Sequence, residues 1–135
     1  MDHCGGPLGL GEYSRASTNV FASWRKSIEK LAVCRNVRVK LGGLGMRING
    51  YDFHEKHLPP TSDRLVKAWF PYFDTCIQAF GPDRCMFESN FPVDKLSVSY
   101  AVLWNALKKI GRQFSETEKE LMFRGTAQRV YRLEI

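Results

Sequence analysis

From Val20 the apolar positions Phe21, Trp24, Ile28 and Leu31 recur at intervals of three and four, which predicts an amphipathic helix to about Ala32 with Ser17-Thr18-Asn19 as its caps. The period then changes. Over residues 36–43 Val37, Val39 and Leu41 alternate with Arg38 and Lys40, the two-residue repeat of a strand, and Gly42-Gly43 ends it. Residues 45–61 are polar, contain histidine and proline, and are long for a plain connection, so they form a candidate substrate loop. Ser62-Asp63 opens a second helical pattern through Leu65, Val66, Trp69, Phe73, Ile77 and Phe80; Pro71 is expected to kink or split it, and Gly81-Pro82 to close it. Residues 84–88 read as a short buried strand leading into Ser89-Asn90-Phe91-Pro92. Ser97 or Ser99 then opens a helix through Val102, Leu103, Ala106, Leu107 and Ile110, and Ser115-x-x-Glu118 is a capping box for a last helical region carrying Leu121, Met122, Phe123, Val130 and Tyr131.

The order is β-turn-α-β-loop-α-β-turn-α-α, and such alternation argues for a parallel sheet with crossover helices in an α/β fold. The opening Met1-Asp2-His3-Cys4-Gly5-Gly6-Pro7 puts a titratable side chain and a glycine turn where a strand normally ends, so a preceding strand is expected. His3 to Lys40 is 37 positions and Lys40 to Glu88 is 48, each a fair length for one βα unit. Three units fill the chain. In parallel α/β folds ligands sit beyond the carboxyl ends of the strands, and here those ends carry His3, Lys40, and Glu88 with Asn90.

Composition narrows the class without naming it. With 135 residues, 44% hydrophobic and 25% charged, the chain can fold as one domain, but it is too short for a complete (β/α)₈ barrel, which needs at least about 200. The net charge of +6 comes from cations interleaved with apolar residues at helical spacing, which reads as solvated helix faces; no nucleic-acid partner is expected. No apolar run approaches the roughly 18 residues of a membrane span, so no membrane partner is expected either. Cys4, Cys34, Cys76 and Cys85 lie 30, 42 and 9 positions apart with no C-x-x-C and no secretory leader, which predicts reduced thiols in a cytoplasmic protein.

The candidate residues each carry a plain reading beside the chemical one. His3 at a strand end could ligate a metal, orient a carbonyl or move a proton, or be structural. Lys40, opposite Val37, Val39 and Leu41, faces the inner side of the sheet and pairs with an anionic substrate or with Glu88, or else is a surface lysine on an edge strand. Asn90 can hydrogen-bond but cannot take a proton at neutral pH, which leaves Glu88 and Asp94 as the nearby carboxylates; Asp94 reads better as a turn or helix-start residue. In His54-Glu55-Lys56-His57 the histidines are three apart in a loop rather than four apart on a helix, so solvated loop residues are the better account than a metal motif. The cysteines read as buried apolar side chains.

The segments His3-Cys4-Gly5-Gly6-Pro7, Val39-Lys40-Leu41-Gly42-Gly43-Leu44, Arg84-Cys85-Met86-Phe87-Glu88-Ser89-Asn90-Phe91-Pro92-Val93-Asp94 and Gly125-Thr126-Ala127-Gln128-Arg129-Val130-Tyr131, in this order and spacing, resemble the carboxyl-terminal part of the amidohydrolase-related family, amidohydrolase family 2. The resemblance spans essentially residues 1–135 as one partial domain. It implies the last three βα units of a (β/α)₈ TIM barrel, an incomplete barrel whose family hydrolyses lactones or decarboxylates small aromatic or dienoic acids, commonly with a divalent metal such as zinc. By analogy His3 matches the histidine after the sixth strand, Lys40 lies on the seventh, and Asn90 stands after the eighth where the usual motif has aspartate.

Two departures accompany it. The H-x-H pair of the family's first strand has no counterpart, as though the chain began about five units, or roughly 150 residues, late. Asn90 in place of aspartate removes a group that would ligate metal and activate water. The expectation is therefore a hydrolase, or a lyase, acting on a small lactone or carboxylated cyclic compound. In it His3 is catalytic and, in a complete barrel only, a metal ligand; Lys40 holds a substrate carboxylate, and Asn90 with Glu88 positions water. No cofactor is expected for this chain alone. The alternative is a non-catalytic remnant or interaction partner that lacks the metal site and self-associates through exposed sheet edges.

Overall fold

A computed structural model describes residues 1–14 and 18–134. Its centre is a parallel pair of three-residue strands, β1 (Val39–Leu41) and β2 (Cys85–Phe87), in the register Val39 with Cys85, Lys40 with Met86 and Leu41 with Phe87. Parallel neighbours need a crossover, and the helix α2 (Ser62–Phe80) supplies it. A helix α1 (Thr18–Ala32) precedes β1 and packs on α2, and α3 (Tyr100–Gly111) packs on the same helix after β2. The chain ends in α4 (Glu116–Glu120), a π-helical turn Leu121–Gly125 against β2, and α5 (Thr126–Tyr131).

Alternation decides what each strand residue does. Val39, Leu41, Cys85 and Phe87 turn to the helices and are buried with Leu65, Trp69, Phe73, Leu103, Leu107 and Ile110 in one core. Burying each of those leucines contributes about 2 kcal/mol. Lys40 and Met86, paired in the ladder, occupy the opposite face.

Three expectations are corrected. The first stave, expected to end at His3, is a bridge rather than a strand: Met1 N donates to Arg38 O at 2.7 Å and Lys40 N donates to Met1 O at 2.9 Å, after which His3–Gly5 form a 3-10 turn. Two strands are therefore present among the described residues, not three. The second concerns Pro71, expected to kink or split α2: the helix is not split and runs from Ser62 to Phe80. Pro71 is exposed, so the carbonyl its missing N–H would have engaged lies on the solvent side. Third, the loop expected over residues 45–61 carries two 3-10 turns, Arg47–Asn49 and Phe53–Glu55.

The caps follow the sequence closely. Thr61 caps α2, Ser99 rather than Ser97 caps α3, and Ser115 with Glu118 forms both halves of the capping box. Of the caps expected for α1, Ser17 lies outside the described residues.

The loops leaving the first two staves touch backbone to backbone. Gly9 N donates to Ile48 O at 2.8 Å, and the buried Asn49 amide donates to Pro7 O at 2.8 Å. A Cβ on Gly9 would stand 2.2 Å from Asn49 O, and one on Gly50 2.1 Å from Gly9 O, so the seam admits only glycine at both points.

Candidate active site

The exits of β1 and β2 bring His3, Lys40 and Glu88 into one ion-paired cluster. Glu88 N donates to Leu41 O at 3.1 Å, prolonging the ladder by one rung and placing the Glu88 side chain beside the start of the chain. Its Oε1 lies 2.6 Å from His3 Nδ1 and accepts the His3 backbone N–H at 3.2 Å, while its Oε2 lies 3.1 Å from Lys40 Nζ. Lys40 also reaches Asp2 Oδ1 at 3.0 Å. The Glu88 side chain is 13% exposed, and it does not stand alone as an unpaired charge in this setting. Partial burial opposes the charge on Lys40, but its hydrogen bonds to Asp2 and Glu88 outweigh it and hold the ammonium well above its ordinary pKa. The same lysine lowers the Asp2 carboxyl.

With Nδ1 engaged by a carboxylate, His3 carries its hydrogen there in the neutral state and leaves the Nε2 lone pair without a protein partner among the described residues. That is the arrangement of an imidazole set to take a proton or bind an electrophile. The backbone confirms how specific the placement is: His3 and Cys4 are left-handed at φ 53° and 51°, a conformation that costs non-glycine residues about 1 kcal/mol each. Gly43, itself at φ +69°, lies so close that a Cβ would be 2.3 Å from His3 Nδ1, and a Cβ on Gly42 would be 2.4 Å from Glu88 Cγ.

Asn90 stands two residues beyond Glu88, also left-handed at φ 52°, a conformation asparagine tolerates better than most residues. It does not hydrogen-bond to His3, Lys40 or Glu88 among the described residues. Its Nδ2 donates instead to Asp94 Oδ1 at 2.9 Å, and Asp94 Oδ2 accepts from Gly45 N at 3.3 Å. Ser97 closes the layer by donating to Gly45 O at 2.6 Å. Asp94 is 0% exposed; burial pushes its carboxyl up to about 6 against the hydrogen bonds from Asn90 and Gly45, with His3 and Glu88 near enough to act on it electrostatically. Asp94 is the turn or helix-start residue expected, in the first turn of the 3-10 helix Val93–Leu96, and its burial is what the sequence does not show; Asp2 is not among the expected residues. The signal available was the spacing Asn90 to Asp94 opposite the run Gly42-Gly43-Leu44-Gly45.

The remaining candidates separate from this cluster. His54 contacts Glu55 at 3.4 Å in its own turn and, with Arg47, Tyr51 and Asp52, lines a cavity of about 400 Å³ in the predicted substrate loop; none of His3, Lys40, Glu88 and Asn90 borders it. Cys4, Cys76 and Cys85 are buried free thiols, and burial raises the Cys4 and Cys85 thiols far from the thiolate range, as apolar packing requires.

A parallel pair with a crossover helix and a polar cluster gathered beyond the strand carboxyl ends defines the class: an α/β fold with its polar groups where such folds bind ligands. The chain belongs to the amidohydrolase family, the description of the family model Amidohydro_2, which matches residues 1–133. It is 42% identical over 113 residues to the uncharacterized protein y4mH of Sinorhizobium fredii, covering 84% of this chain and 34% of that protein. It is 32% identical over 134 residues to an L-fucono-1,5-lactonase of Burkholderia multivorans, covering 98% of this chain and 42% of the lactonase. An amidohydrolase crystal structure from Burkholderia multivorans with bound HEPES superposes at a TM-score of 0.83 with 29% identity over 99% of this chain and 44% of that one. A second structure from that organism, with bound zinc, superposes at 0.78 with 27% identity, over 98% and 43%. The chain thus spans about two fifths of most of these relatives and corresponds to that share of a TIM barrel. No helix among the described residues is long and apolar enough to cross a membrane.

Zinc needs three or four donors. Here His3 Nε2 is the single well-prepared one: both Glu88 oxygens are engaged, the Asp94 carboxylate is enclosed, and no group of three or more His, Cys, Asp or Glu among the described residues is placed to hold a metal. The donors among the described residues do not by themselves make up a metal centre.

Proposed function

We propose that this chain contributes the proton-handling side of a site that hydrolyses a small hydroxylated lactone. The observation that carries the reading is His3 Nδ1 at 2.6 Å from a Glu88 carboxylate whose other oxygen is held by Lys40. In neutral His3 the Nε2 lone pair removes a proton from water as the water oxygen bonds to the lactone carbonyl carbon. The imidazolium so formed is stabilised by Glu88, and it returns the proton to the ring oxygen as the carbon–oxygen bond breaks, leaving a hydroxy acid. Lys40 holds the other Glu88 oxygen in place, so the histidine retains one tautomer and one orientation. Asn90 supplies a hydrogen-bonding group at the same rim. The similarity to an L-fucono-1,5-lactonase supports a sugar lactone as the substrate class.

Acid release from L-fucono-1,5-lactone and related sugar lactones tests this. His3→Ala is expected to lower the rate by about 100-fold or more, the usual contribution of a positioned acid–base group. A rate undiminished by that change refutes the assignment. A polypeptide that hydrolyses none of the lactones supports the non-catalytic reading instead.

A further inference from the structure

An asparagine at a binding rim has two faces to offer, a donating NH₂ and an accepting oxygen, and the two are nearly the same shape. Which one meets a ligand is decided by what holds the other end. At Asn90 the holder is Asp94, fully buried, with Oδ1 at 2.9 Å from the Asn90 amide and Oδ2 committed to Gly45 N–H at 3.3 Å. An ionised carboxylate only accepts, so the amide end beside it must be the NH₂ whatever the atom labels. Turning the amide over would set two oxygens against each other and forfeit a charge-assisted bond, which disfavours that orientation by roughly 10- to 100-fold. Backbone contacts lock the frame: Asp94 N donates to Asn90 O at 3.2 Å, and Ser97 N and Val98 N both donate to Asp94 O at 3.0 Å. The Asn90 Oδ1 has no protein partner among the described residues, and the residue is part-exposed.

We propose that Asp94 is a positioning residue: by capturing the Asn90 NH₂ it turns the Asn90 carbonyl oxygen outward, so the rim selects a ligand that donates a hydroxyl there. The hydroxyl specificity rests on the lactone reading; the orientation of the amide does not. Asp94→Asn makes the reasoning sharp. Its oxygen is needed by Gly45 N–H, which leaves its own NH₂ facing Asn90, and Asn90 must then turn over and present a donor.

Two measurements decide it. In the ¹⁵N-labelled wild-type chain at pH 7.5, the Asn90 side-chain NH₂ is expected to exchange with water at least 10-fold more slowly than that of the exposed Asn105; equal rates overturn the orientation. Binding is then compared for L-fuconate and for derivatives with one hydroxyl at a time replaced by fluorine, which accepts but does not donate. The wild type is expected to lose at least 10-fold in affinity for one derivative, and Asp94→Asn to abolish that preference while still binding the acid. A preference unchanged in the variant overturns the selection. If the wild type binds none of these acids, the lactone reading falls and the hydroxyl selection with it, and the exchange rates decide the orientation alone.

Discussion

Asp94 offers a quantitative check on the site, because its carboxyl is raised from 3.8 to about 6 by complete burial. The folded state therefore holds this proton more tightly than the unfolded chain does. Between about pH 4 and pH 6 the native state carries the extra proton, so stability falls as pH rises through that window and is regained on acidification. The magnitude follows from the two values: the ionised, buried carboxyl costs the fold about 3 kcal/mol at pH 7 and about 1 kcal/mol at pH 4.5, a recovery of about 2 kcal/mol. Carboxyls shifted the other way, Asp2 beside Lys40, Asp52 beside Lys56 and Glu118 in its capping box, favour the fold at neutral pH and lose that contribution in acid. Those contributions are common to the wild type and to Asp94→Asn, which lacks only the Asp94 titration. Urea denaturation of both chains at half-unit steps from pH 4.5 to 7.5 isolates it. The stability difference between them is expected to change by about 2 kcal/mol across the range, in favour of the wild type at the acid end. A difference that stays flat refutes the burial argument, since a solvated carboxyl would titrate alike in both states.

Further expectations concern the scaffold around the cluster. Gly43→Ala drives a Cβ against His3 at a positive φ and should cost more than about 2 kcal/mol, whereas Gly6→Ala, at φ +60° with nothing within 4 Å, should cost only about 1 kcal/mol of backbone strain; equal losses in chemical denaturation would deny the close approach. A double-mutant cycle of Lys40→Met and Glu88→Gln should give a coupling near 1 kcal/mol, and additive losses would mean the pair is not formed in solution. Ser115→Ala removes the capping box and should lower stability by about 1 kcal/mol in a thermal melt, with no effect on the His3 resonances.

The parts of this molecule written in local periodicity were legible beforehand. The three-four spacing of Trp69, Phe73, Ile77 and Phe80 gave α2, the alternation about Lys40 gave β1, and both ends of the Ser115 box were readable as a pair. The position of the His3, Lys40 and Glu88 cluster at the strand exits was legible, because exits are where α/β folds expose polar groups. Partnership was not legible. That Glu88 serves His3 and Lys40 at once, or that Asp94 is sealed behind Asn90, depends on bare backbone at Gly42 and Gly45, and such contacts join residues 46 to 85 positions apart in the chain. That Pro71 does not split α2 was not legible for the converse reason: its helix-breaking tendency is local, and α2 is held by a core that outweighs it.

The glycine seam between Gly9 and Gly50 restricts how this architecture diversifies. With those two segments sewn together, any lengthening before residue 50 would have to unpick hydrogen bonds at Pro7 and Ile48, whereas a lengthening between residues 52 and 61 would leave those bonds in place. Relatives that handle bulkier molecules should therefore differ in length downstream of the seam and keep small residues within it.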